Sequence, residues 1–418
     1  MTTTEAPERL DDLHRVLEIT RAMSAVADLK DLMRLIIDRS MELLGAERAT
    51  VFLYDAATNE LVSLVAAGMD ELRAPADRGI SGETVRTGGT INVSDVYADP
   101  RFNPEIDRMT GFRTRNLLSL PLRGYDGRLV GLVQVINKRR GPFSDADVTL
   151  AETLAAQAGV AIQRAELMEH LVRKQEMDRA MAIAQQIQRG LLPACTADVV
   201  GFDVAGVSLP ADQTGGDMFD YLQVAPQRWM FSVADASGHG IGSALVIAET
   251  RAMLRAVSLL GGDVSAVLKI ANHLLTADLG ESSFVTCFLG LLDTSRAVLD
   301  YASAGHGPMI FYDRASDRFI RRDATHLPMG IAGDEPYAKI AEHTFGPGDF
   351  ALITTDGFVE STDPAGNEFG LERMLDVLRA CRDGSAALIV DEMVNAVRQY
   401  THSRPQRDDL TALVIRRQ

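Results

Sequence analysis

Four times in its second half this chain delivers an aspartate to a turn. Phe231-Ser232-Val233-Ala234 reads as a buried strand that stops on Asp235, and the small residues Ala236 to Gly240 follow before a helical pattern opens at Ile241. Ala351-Leu352-Ile353-Thr354-Thr355 is a second such strand, ending in Asp356-Gly357. Gly215-Gly216 precedes Asp217, with Asp220 three residues on, and Asp408-Asp409-Leu410-Thr411 opens the strand Ala412 to Ile415. One Asp-Gly is most simply a turn. Several carboxylates gathered at one end of a sheet repel one another and call for a counter-charge. Hard divalent cations such as Mg²⁺ or Mn²⁺ prefer such oxygen donors. No thiolate or imidazole set stands at zinc spacing. Two cations on these acids would hold a phosphate and a water for in-line attack.

Charge and cysteine usage narrow the classes. The 418 residues carry a formal net charge of −16, which argues against nucleic-acid binding. The same charge would repel an acidic phosphopeptide, so docking is expected to depend on a folded partner surface. Cys195, Cys287 and Cys381 are three in number and widely spaced, a reduced, cytoplasmic pattern without a disulfide framework. The first residues lack a basic and apolar leader, and no apolar run approaches membrane-spanning length. The expectation is a cytoplasmic protein with no membrane or nucleic-acid partner and two or three domains.

Residues 1–12 are polar and expected to be flexible. Over 13–165 the pattern is helix, hairpin, loops, hairpin, helix. Leu32, Ile36, Ile37, Leu43 and Leu44 make one helix face stopped by Gly45, and hairpins are expected over 49–65 and 117–136. With Gly79-Ile80-Ser81-Gly82, Asn92-Val93-x-Asp95, Asp99-Pro100-Arg101-Phe102 and Leu118-Ser119-x-Pro121, this region resembles GAF domains of the cyclic-nucleotide phosphodiesterase type. Asn137, Lys138, Phe143 and Asp147 match that class's signature, whose final Glu is Val148 here. The resemblance implies an antiparallel sheet with helices and a small, cyclic-nucleotide-like ligand, with Arg101, Phe102 and Asn103 on the pocket loop. Lys138 and Asp147 either contact that ligand or pair to brace the fold.

From 147 to 192 a single helix is expected. Leu150, Leu154, Ala158, Ala161, Ala165, Met168 and Val172 approximate a heptad seam, which suggests a coiled-coil homodimer. Ile183, Ile187 and Leu191 form a stripe before Pro193 and are candidates for a switch that docks on the following domain.

Residues 193–418 alternate strands with paired helices, the pattern of a sandwich covered by helices. The ordered set Gly215-Gly216-Asp217, Asp235-x-Ser237-Gly238-His239-Gly240, Ala304-Gly305-His306, Thr355-Asp356-Gly357 and Asp408-Asp409-x-Thr411 resembles the SpoIIE-type branch of the PPM serine/threonine phosphatases. The resemblance implies an α/β/β/α sandwich and a two-metal site. Asp235 would bridge the metals, the Ala236 carbonyl would complete one shell, Asp217 and Asp356 would each hold one metal, and Asp408 would complete the second. Gly216, Asp220, Asp409 and His239 would stand behind these ligands, with Asp220 and Asp409 ordering bound waters. His239 and His306 are each either an acid or a brace. No arginine stands out as a grip for phosphate. Gly-Gly-Asp also begins the diguanylate cyclase signature, but Met218-Phe219-Asp220 fits its continuation poorly. The expected activity is phosphoserine or phosphothreonine hydrolysis under GAF control, on a phosphorylated STAS-type regulatory protein. The alternative is a ligand-gated dimeric scaffold that binds phosphoproteins without efficient turnover.

Overall fold

The computed structural model describes residues 5–65, 72–104, 107–108, 111–193, 196–280 and 283–418, so Cys195 lies outside the described residues. Contacts divide the chain into two units, Met1–Glu176 and Met177–Gln418. No helix among the described residues is long and apolar enough to cross a membrane.

The first unit is built on one antiparallel sheet. Its strands are β1 (Ala46–Asp55), β2 (Glu60–Ser63), β3 (Leu72–Pro75), β4 (Ile91–Val93), β5 (Leu117–Arg123) and β6 (Leu129–Lys138), in the order β3-β2-β1-β6-β5-β4. Helix α1 (Glu5–Ala25) begins inside the segment expected to be flexible, and residues 1–4 lie outside the described residues. Helix α2 (Leu29–Leu44) starts where the Asp28 carboxylate accepts the Asp31 N–H and ends on Gly45 at φ 59°. One sheet face, carrying Leu118, Leu120 and Leu122, packs on Leu32, Met33 and Ile36 of α2 and on Leu154, Ala158 and Ile162 of the long helix α4 (Asp145–Leu191). Gly159 permits that close packing, since a Cβ there would lie 2.3 Å from the Arg123 carbonyl oxygen. The other face carries Leu117 against Ile80 of α3 (Gly79–Thr87).

The expected heptad seam is therefore split. Leu154, Ala158, Ala161 and Ala165 are spent on this unit's own core, because a helix closing a sheet must bury its apolar face there first. Beyond them, Met168 and Val172 of that seam are exposed, with Leu167 and Leu171 beside them.

The second unit is a sandwich. One sheet comprises β9 (Asp217–Ala225), β10 (Arg228–Ala236), β11 (Val285–Asp293), β12 (Val298–Ala304) and β15 (Ala341–Thr344), in the order β15-β12-β11-β10-β9. The other orders as β14-β13-β16-β17-β8-β7, from β7 (Thr196–Val199), β8 (Phe202–Leu209), β13 (Met309–Asp313), β14 (Arg318–Arg322), β16 (Phe350–Thr354) and β17 (Leu410–Arg417). Phe219, Phe231, Val233, Phe288, Phe311 and Ile415 fill the space between them. Helices α5 (Ile241–Leu259) and α6 (Val264–Asp278) cover the first sheet through Leu254, Leu268 and Leu275. After the single turn α7 (Gly357–Glu360), α8 (Gly370–Cys381) and α9 (Ala386–Tyr400) cover the second through Met374, Leu378, Ile389 and Met393. The α/β/β/α arrangement is the one expected. It leaves the end of β10, the start of β9, the end of β16 and the start of β17 at one edge of the sandwich.

Candidate functional site: a carboxylate cluster at the sandwich edge

Register brings the acids together. Asp217 and Asp235 are direct partners across the antiparallel β9–β10 pair, so two carboxylates face each other on one side of the sheet. Asp356 follows β16 and Asp408 precedes β17, which pairs with β16. Glycines let the backbones approach. A Cβ on Gly357 would sit 2.0 Å from the Asp409 carbonyl oxygen, and one on Gly216 2.9 Å from the Ala236 carbonyl oxygen. Ala236 in turn donates its N–H to Gly216. Gly238 and Gly240 turn the intervening loop at φ 89° and 85°, a region side chains avoid.

Polar side chains hold the acids in place. The Thr355 hydroxyl donates to Asp217 Oδ2 at 2.7 Å and accepts the Thr411 N–H at 3.1 Å. Asp409 accepts the N–H of Ala211 at 2.7 Å and of Asp217 at 3.2 Å, so it ties two loops together through backbone groups. Gln188, near the end of α4, grips Gly215 from both sides: it donates to the carbonyl at 2.5 Å and accepts the N–H at 3.0 Å.

The electrostatics record crowding. Burial, then Asp235 and Asp409, push the buried Asp217 carboxyl well above the usual carboxylate range. Burial, then Asp356 and Asp408, raise Asp235 to about 7. Asp356 is raised by burial and by Asp408, and Asp409 chiefly by burial. Like charges this close favour the neutral acid unless a cation intervenes. The donor set therefore suits a hard divalent cation by its chemistry. Its spacing is looser than a closed coordination shell, since among the described residues no three acid, His or Cys side chains already stand as a metal-holding group.

Several expected residues fall elsewhere. Asp220 does not back the cluster. Strand alternation turns it to the opposite face of β9 from Asp217, where it pairs with Arg251 at 3.1 Å and Arg255 at 3.4 Å under α5. The His239 side chain is 94% exposed, with Nδ1 3.9 Å from the Asp212 carboxylate, and lines the cleft with Asp235 and Asp408. His306 is buried, meets the Thr286 hydroxyl at 3.0 Å, and is lowered to about 4 by burial, so it stays neutral near pH 7. Ile183 and Ile187 are 55% and 62% exposed, while Leu191 is half-buried. On this helix it is Gln188, with Leu192 packed on the sheet–helix core, that meets the sandwich. Sequence reasoning missed Gln188 and Thr355; Thr355 sat within a quoted motif and Gln188 beside Ile187 of the stripe, but only the fold says what each polar group reaches.

In the first unit, Arg101 is held by Asp99 through two hydrogen bonds and lines a cavity of about 650 Å³ with Arg78 and Arg86. Phe102 lies edge-on to Tyr97 at 5.2 Å and packs on the α3 side of the sheet, away from that cavity's lining. Asn103 is absent from the lining too. Thr84 donates to Ser119 and Gln134 to Ser81, hydrogen bonds that already join α3 to the sheet. Lys138 pairs with Asp147, which also accepts the Ser144 N–H, so these residues brace the start of α4.

Comparison with known proteins follows the same division. Residues 225–418 match the family model of stage II sporulation protein E, and residues 28–162 match that of the GAF domain. Asp235, Asp356 and Asp408 fall inside the first match; Asp217 precedes it. The phosphoserine phosphatase RsbU of Bacillus subtilis is 26% identical over 262 residues, 62% of this chain and 76% of that protein. A dual 3',5'-cyclic-AMP and -GMP phosphodiesterase 11A of Takifugu rubripes is 30% identical over 41% of this chain, which spans only 20% of that relative's length. The SiaA-PP2C domain of Pseudomonas aeruginosa shares the fold, with a TM-score of 0.52 and 24% identity over 59% of this chain and 99% of that domain.

Proposed function

We propose that this chain, a GAF domain followed by a SpoIIE-type domain of the PPM phosphatases, is a cation-dependent phosphoprotein phosphatase acting on phosphoserine or phosphothreonine. The observation that carries the reading is the convergence of Asp217, Asp235, Asp356 and Asp408, with two of the acids raised so far that ionising them together calls for a counter-charge.

Asp235 is the cross-strand partner of Asp217 and feels the charges of Asp356 and Asp408, which suits it to serve both cation positions. Asp217, fixed by Thr355 and by the N–H it gives to Asp409, would hold one cation. Asp356 and Asp408, on adjacent ends of β16 and β17, would hold the other. Mn²⁺ or Mg²⁺ bound here would supply Lewis acidity and charge neutralisation for in-line hydrolysis. The chain's own contribution is positional. Glycines 216 and 357 bring backbone within reach, Asp409 and Gln188 lock the loops, and neutral His306 supports Thr286 on the adjoining strand. His306 is buried, whereas the exposed His239 lines the same cleft as Asp235 and Asp408.

The SpoIIE-type resemblance points to a phosphorylated regulatory protein of the STAS type as the substrate. The GAF domain, through α4, would set the activity, and the exposed Leu167, Met168, Leu171 and Val172 would pair in a homodimer. The test is phosphate release from a phosphoserine protein with Mn²⁺, with chelator, and in Asp356→Asn. Turnover should vanish in the last two; turnover that survives both would sink the reading.

A further inference from the structure

Beside the acid cluster lies a group of arginines that no sequence motif marked. A groove of about 560 Å³ opens along the loop between α9 and β17 and reaches Gly357 and Asp408. Arg398, Arg404 and Arg407 line it. All three are exposed, and none makes an ion pair or side-chain hydrogen bond among the described residues. This contrasts with Arg379 and Arg382 nearby, which pair with Asp376 and Asp317. The groove adjoins the acid cleft, a cavity of about 210 Å³: Gln406, Arg407 and Asp408 line both.

The loop is built rather than loose. Gln406 Nε2 donates to the Leu209 carbonyl at 3.1 Å, pinning the loop to β8. Ser403 N–H donates to the Arg398 carbonyl at 2.9 Å, and His402 and Ser403 both take positive φ, near 55°. Arg404 follows that turn and lines the groove together with Arg398. Glu360 is the one acid on the wall besides Asp408, and burial followed by Asp356 and Asp408 raises its carboxyl.

We propose that this groove docks the segment flanking the phosphorylated residue of the protein substrate, and that the segment is rich in carboxylates. Arg407 stands at the junction with the cleft, while Arg398 and Arg404 receive acidic side chains farther along the chain. The proposal rests on the phosphatase reading and adds a preference to it. The whole protein, at −16, repels acidic partners at long range. The groove reverses that sign locally, so approach is slow but the correct segment is held once seated.

The probes are two phosphoserine nonapeptides, identical except that one carries two Glu on each side of the phosphoserine and the other Gln. With Mn²⁺ at 50 mM salt, the full chain should hydrolyse the acidic peptide with kcat/KM about tenfold above the neutral one, falling to about twofold at 0.5 M salt. Arg398→Ala with Arg404→Ala should bring the ratio to about one, and Arg404→Glu should invert it. Thermal melting of each variant checks that it is folded. A wild-type ratio near one, or a tenfold ratio that survives in the double variant, overturns the groove. Fluorescence anisotropy of the same peptides in chelator separates the two readings. Preferential binding of the acidic peptide that is lost in the double variant supports the groove even where no probe is hydrolysed, an outcome that would overturn the phosphatase reading alone.

Discussion

Replacing Asp235 by Asn should make the cation-free protein more stable. The Asp235 carboxyl is raised to about 7 by burial and by its acidic neighbours, whereas an unfolded Asp titrates near 3.9. The folded state therefore holds the proton more tightly. The stability it gains is fully present below about pH 4 and is lost as pH rises through 7. Three units at about 1.4 kcal/mol each put the cost at pH 7.5 near 4 kcal/mol, and partial solvent screening lowers it to about 2–3 kcal/mol. In a unit of this size each kcal/mol moves Tm by roughly 2–4 °C, so Asp235→Asn should raise Tm by roughly 5–10 °C in chelator. The gap should close toward pH 4. His306 works in the opposite sense, since a His lowered to about 4 adds stability as pH rises, but that contribution is common to both proteins and cancels in the difference. Calorimetry at pH 4.5 and 7.5, with chelator and with Mn²⁺, reads all of this. Mn²⁺ should raise Tm in the wild type and far less in the variant. A variant that melts at or below the wild type in chelator at pH 7.5 would refute the claim that these acids are held under mutual repulsion.

Two further substitutions separate the roles assigned above. Gln188→Ala removes both hydrogen bonds to Gly215, a loss of about 1–2 kcal/mol. It should raise the Mn²⁺ concentration needed for half-maximal turnover severalfold; an unchanged cation dependence would show that the grip does not position Asp217. Asp220→Ala strands Arg251 and Arg255 and should cost about 3–5 kcal/mol in urea unfolding while leaving the Mn²⁺ requirement as it was. A shifted Mn²⁺ requirement would return Asp220 to the acid cluster.

The fold was legible where periodicity was strong. Helix α2 stopped on Gly45 as read, and β16 fell within a residue of expectation. The strands β7, β14 and β15 went unread because short, half-exposed edge strands carry too little apolar alternation to mark them. Asp217, Asp235, Asp356 and Asp408 were legible because each closes a turn of unusual composition. Asp220 was misread because proximity in sequence hides the side of the strand on which a residue falls. The seam on α4 misled for a related reason: a heptad pattern does not say whether its partner is a second helix or the chain's own sheet. Gln188 and the arginine groove owe their positions to contacts between segments far apart in the chain, which no local pattern records.

The central claim is that the aspartate cluster is a cation-loaded reaction centre. Equilibrium dialysis of Mn²⁺ against the full chain, with phosphate release from a phosphoserine protein measured at each concentration, addresses it most directly. Two Mn²⁺ per chain should bind, with turnover rising in step. Asp235→Asn should bind fewer than one at the same concentrations and lose turnover by a few orders of magnitude. Phosphate release from a chain that binds no Mn²⁺, or full turnover in Asp235→Asn, would contradict the account.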